Sequence, residues 1–397
     1  MRYAMILGLV LGVAGPALAQ APVDQGRPNA GFAPAFDGQT RAPAMLSGVA
    51  LEVEVLSGPL QNPWGIAALP GGGYLVTERP GRLRVMAEDG ALSAPLRGLP
   101  EVVASRQGGL LDVAVGPEFA TDRRIYWTYA KPVGERMSAT AAARGVLSAD
   151  LTEVSQVEDI FVQVPASASP MHYGSRIVFD GAGHAFVTTG ERSGRAERVL
   201  AQDPASTYGK VVRVRLDGGV PADNPLAGQA RARGEIWTLG HRNPQGAAMR
   251  PGTGELWTIE HGPAGGDELN LSVRGANYGW PVVSYGVNYD GSAVGSGAAR
   301  APGVEEPRYY WDPVIAPGGM VFYEGAMFAD WAGDLLIGSL NPGGLVRLRL
   351  EGTRVVGEER FLEGERRIRD VEVARDGALL LLWDDPRGGV LRVTPRG

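Results

Sequence analysis

Gly240-His-Arg-Asn-Pro-Gln-Gly246 brings Arg242, Asn243 and Gln245 close together, side chains whose N–H groups suit carboxylates and carbonyl oxygens. The run from Glu260 to Trp280 offers a different set: Gly262-Pro263, where carbonyls can be exposed on a tight turn, then Asp267, Glu268 and Tyr278. Between the two, Ala247 and Met249 alternate, Pro251-Gly-Thr-Gly254 turns, and Leu256-Trp-Thr-Ile259 reads as a second strand. The polar ends of one hairpin therefore lie together, donors for an anion beside hard oxygen ligands. The polar rim of any β protein has the same look, so residue types alone leave both readings open. The chain has four histidines, none in a His-Glu-x-x-His arrangement or a close pair. His184 follows Asp180-Gly-Ala-Gly and reads as a solvated turn residue, while His241 and His261 flank the donor stretch. His172 stands apart, just ahead of a strand in Met171-His-Tyr-Gly-Ser-Arg176.

The elements that must hold these residues are strands. Fifty-eight glycines and 29 prolines imply many turns, and no long amphipathic helical pattern appears, which favours one large all-β domain. A net charge of −6 argues against nucleic acid or an anionic membrane surface as partner. The absence of cysteine excludes disulfides, thiolate metal sites, a catalytic thiol and a lipoprotein anchor. Met1 to Ala19 reads as a secretory signal, with Arg2 as the basic start, Met5 to Val13 as the apolar core and Ala17-Leu-Ala19 as the cleavage site. The apolar run is too short to span a bilayer. The expectation is a periplasmic or secreted protein without a membrane anchor. Residues 20–47, rich in Ala, Pro and Gly, read as a flexible, poorly ordered lead-in to a single domain over 48–397.

From residue 48 the chain repeats loosely. A strand, a glycine turn and a returning strand recur at Gly65–Glu78, Gly109–Tyr129, Ser175–Glu191, Ala247–Ile259, Gly319–Gly338 and Asp370–Trp383. Outer strands such as Leu83–Met86, Val211–Leu216 and Leu345–Leu350 fall between them. Six such units predict a six-bladed β-propeller of four-stranded antiparallel blades. In that architecture the inner strands line one axis, so His172, Glu191, Arg242 and Arg369 can converge at one mouth. The stretches around 130 to 172 and 281 to 318 are the expected walls.

The ordered series Asn62-Pro-Trp-Gly65, Gly240-His-Arg-Asn-Pro-Gln-Gly246, Glu260-His-Gly-Pro263, Asp267-Glu-Leu-Asn270 and Asn277-Tyr-Gly-Trp-Pro281 resembles the soluble glucose and aldose sugar dehydrogenases that use pyrroloquinoline quinone (PQQ). The likeness runs, with gaps, from Asn62 to about Arg392. It implies PQQ and Ca²⁺ as cofactors, an aldose sugar as substrate, an external electron acceptor (quinone, cytochrome or dye), and a monomer or homodimer. It gives His172 the role of general base, with Glu191 orienting it where relatives often carry Asp. Arg242 would stabilise the oxyanion at the accepting carbonyl, and Gln107, Asn243, Gln245, Arg367 and Arg369 would contact cofactor or sugar. The Gly262 and Pro263 carbonyls match a cofactor-side calcium, and Glu268 with the Tyr278 carbonyl a separate structural calcium, with Asp267 behind them. One departure is Asn341 in Ser339-Leu-Asn341, where relatives show a lysine; Arg347 could compensate if it points inward.

Two other functions fit the same residues: a propeller that binds carbohydrate or protein without catalysis, and a quinoprotein acting on another small aldehyde or alcohol.

Overall fold

The computed structural model describes residues 20–397, so the expected signal at Met1–Ala19 lies outside the described residues. Six antiparallel sheets follow one another around an axis. Their innermost strands are Pro63–Ala68, Leu110–Val115, Gly174–Phe179, Pro244–Met249, Pro317–Phe322 and Ile368–Val373, and they define blades 1 to 6. Each predicted hairpin falls on one of these blades. Five blades have four strands. In blade 1 the fourth place is taken by an irregular segment, in which Ser93 N–H bonds to Val85 O and Leu96 N–H to Leu83 O. Blade 6 takes its outermost strand, Leu51–Leu60, from the start of the domain, closing the ring by pairing with Gly388–Pro395.

The apolar pattern explains the stacking. Leu379 to Leu382 is a continuous leucine run because its strand is covered on both faces. Leu379 and Leu381 pack against Leu336 and Leu345 of blade 5, while Leu380 and Leu382 pack against Ile66 and Val76 of blade 1. The same arrangement recurs at every junction. Trp127 meets Leu75 and Leu83, Ile177 meets Phe161, Phe186 meets Ala247, and Trp257 meets Phe322. Near the axis the inner strands are too close for side chains: a Cβ on Gly318 would lie 2.3 Å from the Arg369 carbonyl oxygen. The axis itself is filled by Arg176 of blade 3. Its Nη1 reaches Asp112 Oδ1 at 2.7 Å and Asp370 Oδ2 at 3.1 Å, and its Nε donates to the Gln245 carbonyl at 3.1 Å. One guanidinium thus joins blades 2, 3, 4 and 6.

Three expectations need correction. The segment 20–47 is not a loose lead-in: Asn29, Ala30 and Gly31 donate backbone N–H groups to Asp312, and Gln39 and Ala42 are fully buried. Composition missed this because the contacts are made by backbone, not by an apolar pattern. The stretch 130–172 is mostly blade, since Ser138–Leu147 and Val154–Val162 are the outer strands of blade 2. His184 is not a solvated turn residue; it starts a strand and its Nδ1 lies 2.7 Å from Asp180 and 3.0 Å from Arg213. Among the described residues no helix is long and apolar enough to cross a membrane.

Candidate active site

Blade 3 supplies a histidine–carboxylate pair. His172 precedes the inner strand in a left-handed conformation (φ 47°), and its backbone N–H donates to Gln107 Oε1 at 2.8 Å. The return strand comes so close that a Cβ on Gly190 would lie 2.1 Å from the His172 carbonyl oxygen. Glycine there lets Glu191 swing under the ring, with His172 Nδ1 3.1 Å from Glu191 Oε1. A carboxylate in that place fixes the proton on Nδ1, leaving the lone pair on Nε2. No protein group hydrogen-bonds to Nε2 among the described residues. Burial, helped by the Arg242 charge and opposed by Glu191, lowers the His172 pKa, so the ring is neutral at pH 7.

Blade 4 supplies the donors. The Arg242 backbone N–H is fixed by Glu260 Oε2 at 2.6 Å. Its guanidinium lies 5.3 Å from the Trp280 ring, with Nη1 donating to the His261 carbonyl at 3.0 Å and Nη2 to the Tyr289 hydroxyl at 3.3 Å. Its Nε is buried without a partner among the described residues. Asn243 Oδ1 accepts the Gly174 N–H at 3.0 Å, tying blade 4 to the strand beside His172. Gln245 Oε1 receives Arg369 Nη1 at 2.5 Å and lies 3.2 Å from His261 Nε2. Arg369 is paired with Asp384 at 2.6 Å, yet its Nε is also buried and unpartnered. Arg367 is half exposed and donates to the Leu340 carbonyl at 2.9 Å. Burial works against ionisation of Asp384, but Arg369, Arg79 and Arg367 hold its pKa at about 2. Burial and the charges of Arg369 and Arg242 push His261 well below the usual histidine range.

A small cavity lies beneath Arg242. About 10 Å³ of it is open to the centre of a water-sized sphere, and its lining includes Glu260, Gly262, Pro263, Glu268 and Tyr278. That is room for one water or ion. Two separate ions were expected, but all four predicted ligand residues border this single cavity, together with Glu260. Burial, Glu260 and Glu306 push the Glu268 carboxyl up. Asp267 does not face the cavity as a free acceptor. Its Oδ1 takes the Gly262 N–H at 2.7 Å, and its Oδ2 takes those of Ile315 and Ala316 at 2.8 and 2.7 Å. Among the described residues no three His, Asp or Glu side chains surround a metal-sized space, so an ion here would rely on carbonyls and water as well.

Contacts thus join His172, Glu191, Gln107, Arg242, Asn243, Gln245 and Arg369 at one mouth, partly through Gly174 and His261, with Arg367 at its edge. Asn341 is exposed, and Arg347 does not replace the missing lysine. It is buried in blade 5 between Asp334 and Glu359, at 2.6 Å from each. The alternating strand that holds it could not reveal which face looked toward the axis. Arg79, Glu260 and Tyr289 were not picked out from sequence. Two of them sit at or just after the end of a return strand (Glu78-Arg79, Glu260), close to the position that already drew attention to Glu191.

Residues 60–392 match the family model described as Glucose / Sorbosone dehydrogenase. The chain is 42% identical over 349 residues to the aldose sugar dehydrogenase YliI of Escherichia coli (strain K12), covering 87% of this chain and 93% of that one. It superposes on the soluble aldose sugar dehydrogenase of Escherichia coli in its apo form with a TM-score of 0.84, at 41% identity over 87% of this chain and all of the other (100%). The PQQ-bound aldose sugar dehydrogenase of Streptomyces coelicolor gives a TM-score of 0.72 at 27% identity, over 88% and 99% of the two chains. A family match across the whole propeller, and a relative this similar over nearly its full length, carry one conclusion: the chain belongs to the glucose/sorbosone dehydrogenase family of oxidoreductases.

Proposed function

We propose that the protein oxidises the anomeric carbon of aldose sugars to lactones with PQQ and Ca²⁺. The observation that carries this is the juxtaposition of a neutral His172, its Nε2 free, with buried guanidinium N–H groups of Arg242 and Arg369 that have no partner among the described residues. A buried unpaired donor is costly, and an anionic, oxygen-rich ligand removes that cost. PQQ, a planar tricarboxylate ortho-quinone, fits this donor set and when bound supplies a two-electron acceptor for hydride. Arg242, Asn243, Gln245, Arg367 and Arg369 would hold it. Ca²⁺ fits the oxygen-lined cavity, with Glu260, Glu268 and the carbonyls of Gly262, Pro263 and Tyr278 as its candidate ligands.

The chain's own chemistry is then proton transfer and charge stabilisation. His172 Nε2 takes the proton of the anomeric hydroxyl as the C–H bond breaks, and Glu191 steadies the resulting imidazolium. Gln107, its carbonyl already used by the His172 backbone, has its amide nitrogen left for the sugar. Arg242, fixed through its backbone by Glu260, is aimed in advance at the developing negative charge. The signal-like N-terminus supports export to the periplasm or beyond, with electrons leaving to an external acceptor. A binding-only propeller draws support from Asn341 alone.

The test is direct. Purified protein given PQQ and Ca²⁺ should reduce an artificial dye with one or more members of an aldose panel, and lactone should accumulate. No dye reduction with any aldose, despite saturable PQQ binding, would move the reading to another small alcohol or aldehyde. No PQQ binding would leave the binding-only propeller.

A further inference from the structure

We infer that the segment from Asn29 to Arg41 is a brace that sets the turn Gly262–Gly266, and with it the affinity of the adjoining cavity for a cation. The second half of this statement rests on the calcium reading above. The first half rests on contacts alone. Three successive backbone N–H groups, of Asn29, Ala30 and Gly31, close on the Asp312 carboxylate at 2.7, 2.9 and 3.1 Å, and the Asn29 side chain adds a fourth at 3.1 Å. Successive amides curled around one carboxylate in this way form a nest. Arg41 then donates to the Asp312 carbonyl at 2.9 Å, so the segment grips this residue from both sides.

Asp312 stands directly behind the turn. A Cβ on Gly265 would be 2.5 Å from Asp312 Oδ1, and the Gly266 N–H donates to the neighbouring Trp311 carbonyl at 2.8 Å. The opposite side of the turn is held by the same segment through a second route. Buried Gln39 donates to the Pro307 carbonyl at 2.9 Å and lies beside Glu306, which accepts the Tyr285 hydroxyl at 2.6 Å. The next residues, Gly286 and Val287, press on the turn: a Cβ on Gly266 would lie 2.6 Å from Gly286 N, and Ala264 and Val287 exchange two backbone hydrogen bonds. The turn carrying Gly262 and Pro263 is therefore clamped between two supports, and both are gripped by residues that lie ahead of the family match at residue 60. Asp312 and Gln39 are positioning residues; neither lines the cavity.

The experiment compares the intact chain with Asp312→Asn and with a version lacking residues 20–41, each without PQQ. Amide hydrogen exchange is followed at Gly262 and Gly266, with Gly377 in a blade 6 turn as the remote reference, and Ca²⁺ is titrated by the rise in Tm. Both variants should exchange faster at Gly262 and Gly266 but not at Gly377. The Ca²⁺ midpoint should rise about tenfold, the low end of what groups behind a metal ligand contribute. Asp312→Asn keeps the segment and most of its packing, so it answers even if the shortened chain folds poorly. Exchange at Gly262 and Gly266 that changes no more than at Gly377 overturns the brace, and an unchanged Ca²⁺ midpoint in variants whose turn has loosened overturns its effect on the cation. An intact chain indifferent to Ca²⁺ whose turn still loosens in Asp312→Asn removes the calcium reading and leaves the brace standing.

Discussion

Blades 3 and 4 each place a histidine just ahead of the inner strand and a glutamate at or just past the end of the return strand, with the same sequence separation. His172 Nδ1 lies 3.1 Å from Glu191, and His241 Nδ1 lies 2.7 Å from Glu260. The far nitrogens differ. His241 Nε2 is 2.9 Å from the Thr238 hydroxyl, and its ring is fully buried and stacked on Tyr278 at 4.7 Å. His172 Nε2 has no such partner, and its ring keeps a thin exposed edge. One repeat unit has thus been put to two uses. In blade 4 the pair is a strut whose glutamate also fixes the Arg242 backbone and accepts from Asn270 at 3.1 Å. In blade 3 the pair leaves the second ring nitrogen without a protein partner among the described residues, which is what the proposed base requires.

The largest effect should come from attacking the strut. His241→Asn leaves Glu260 and Thr238 buried without their partner and should lower stability by about 3 kcal/mol, read by chemical denaturation. The pH dependence of whatever turnover remains should keep its acid limb, since His172 is untouched. A stable variant that had lost this limb would reverse the roles of the two blades.

Next is a charge that blade 6 brings to the same mouth. Arg369→Ala should weaken PQQ binding by about 2 kcal/mol in an equilibrium titration, the worth of a charge-assisted contact. The contrast with Arg347 sharpens the point, because that arginine is also buried but satisfied by Asp334 and Glu359. Arg347→Ala should destabilise the fold and leave PQQ affinity per folded molecule unchanged.

The smallest of these effects concerns Glu191. Glu191→Gln should cost about tenfold in kcat, less than loss of the base itself. Its sign on pH is fixed by the charges around His172. The folded pKa already lies below the ordinary 6.5, so activity should hold through neutrality and fall only as acid protonates the ring. Glu191 is the group that raises that pKa, so its removal should shift the acid limb to still lower pH. A shift upward would mean that Glu191 does not face the ring as an anion.

The inner hairpins were legible because apolar alternation and glycine turns are local signals, and the leucine run at 379–382 marks a strand covered on both faces. The mouth was legible from Arg242, Asn243 and Gln245, which cluster in sequence. Arg176 was not, since its partners Asp112 and Asp370 lie far off in the chain and only closure of the ring unites them. Nor was the brace, because backbone amides carry it and Ala30 or Gly31 leaves no side-chain trace. Arg347 shows the converse: a cation near the right place in sequence can face its own blade. The single cavity likewise depends on Glu268 and Tyr278 folding back to border the same space as Glu260, Gly262 and Pro263, which spacing does not encode.

The central claim is that His172, and not its twin, removes the substrate proton. The decisive measurement is kcat for His172→Asn on protein shown by titration to be fully loaded with PQQ and Ca²⁺. The account predicts a fall of roughly a hundredfold to ten-thousandfold, carried by kcat more than by KM, with the acid limb lost and Tm little changed. A loaded His172→Asn protein turning over at close to the wild-type rate would contradict it.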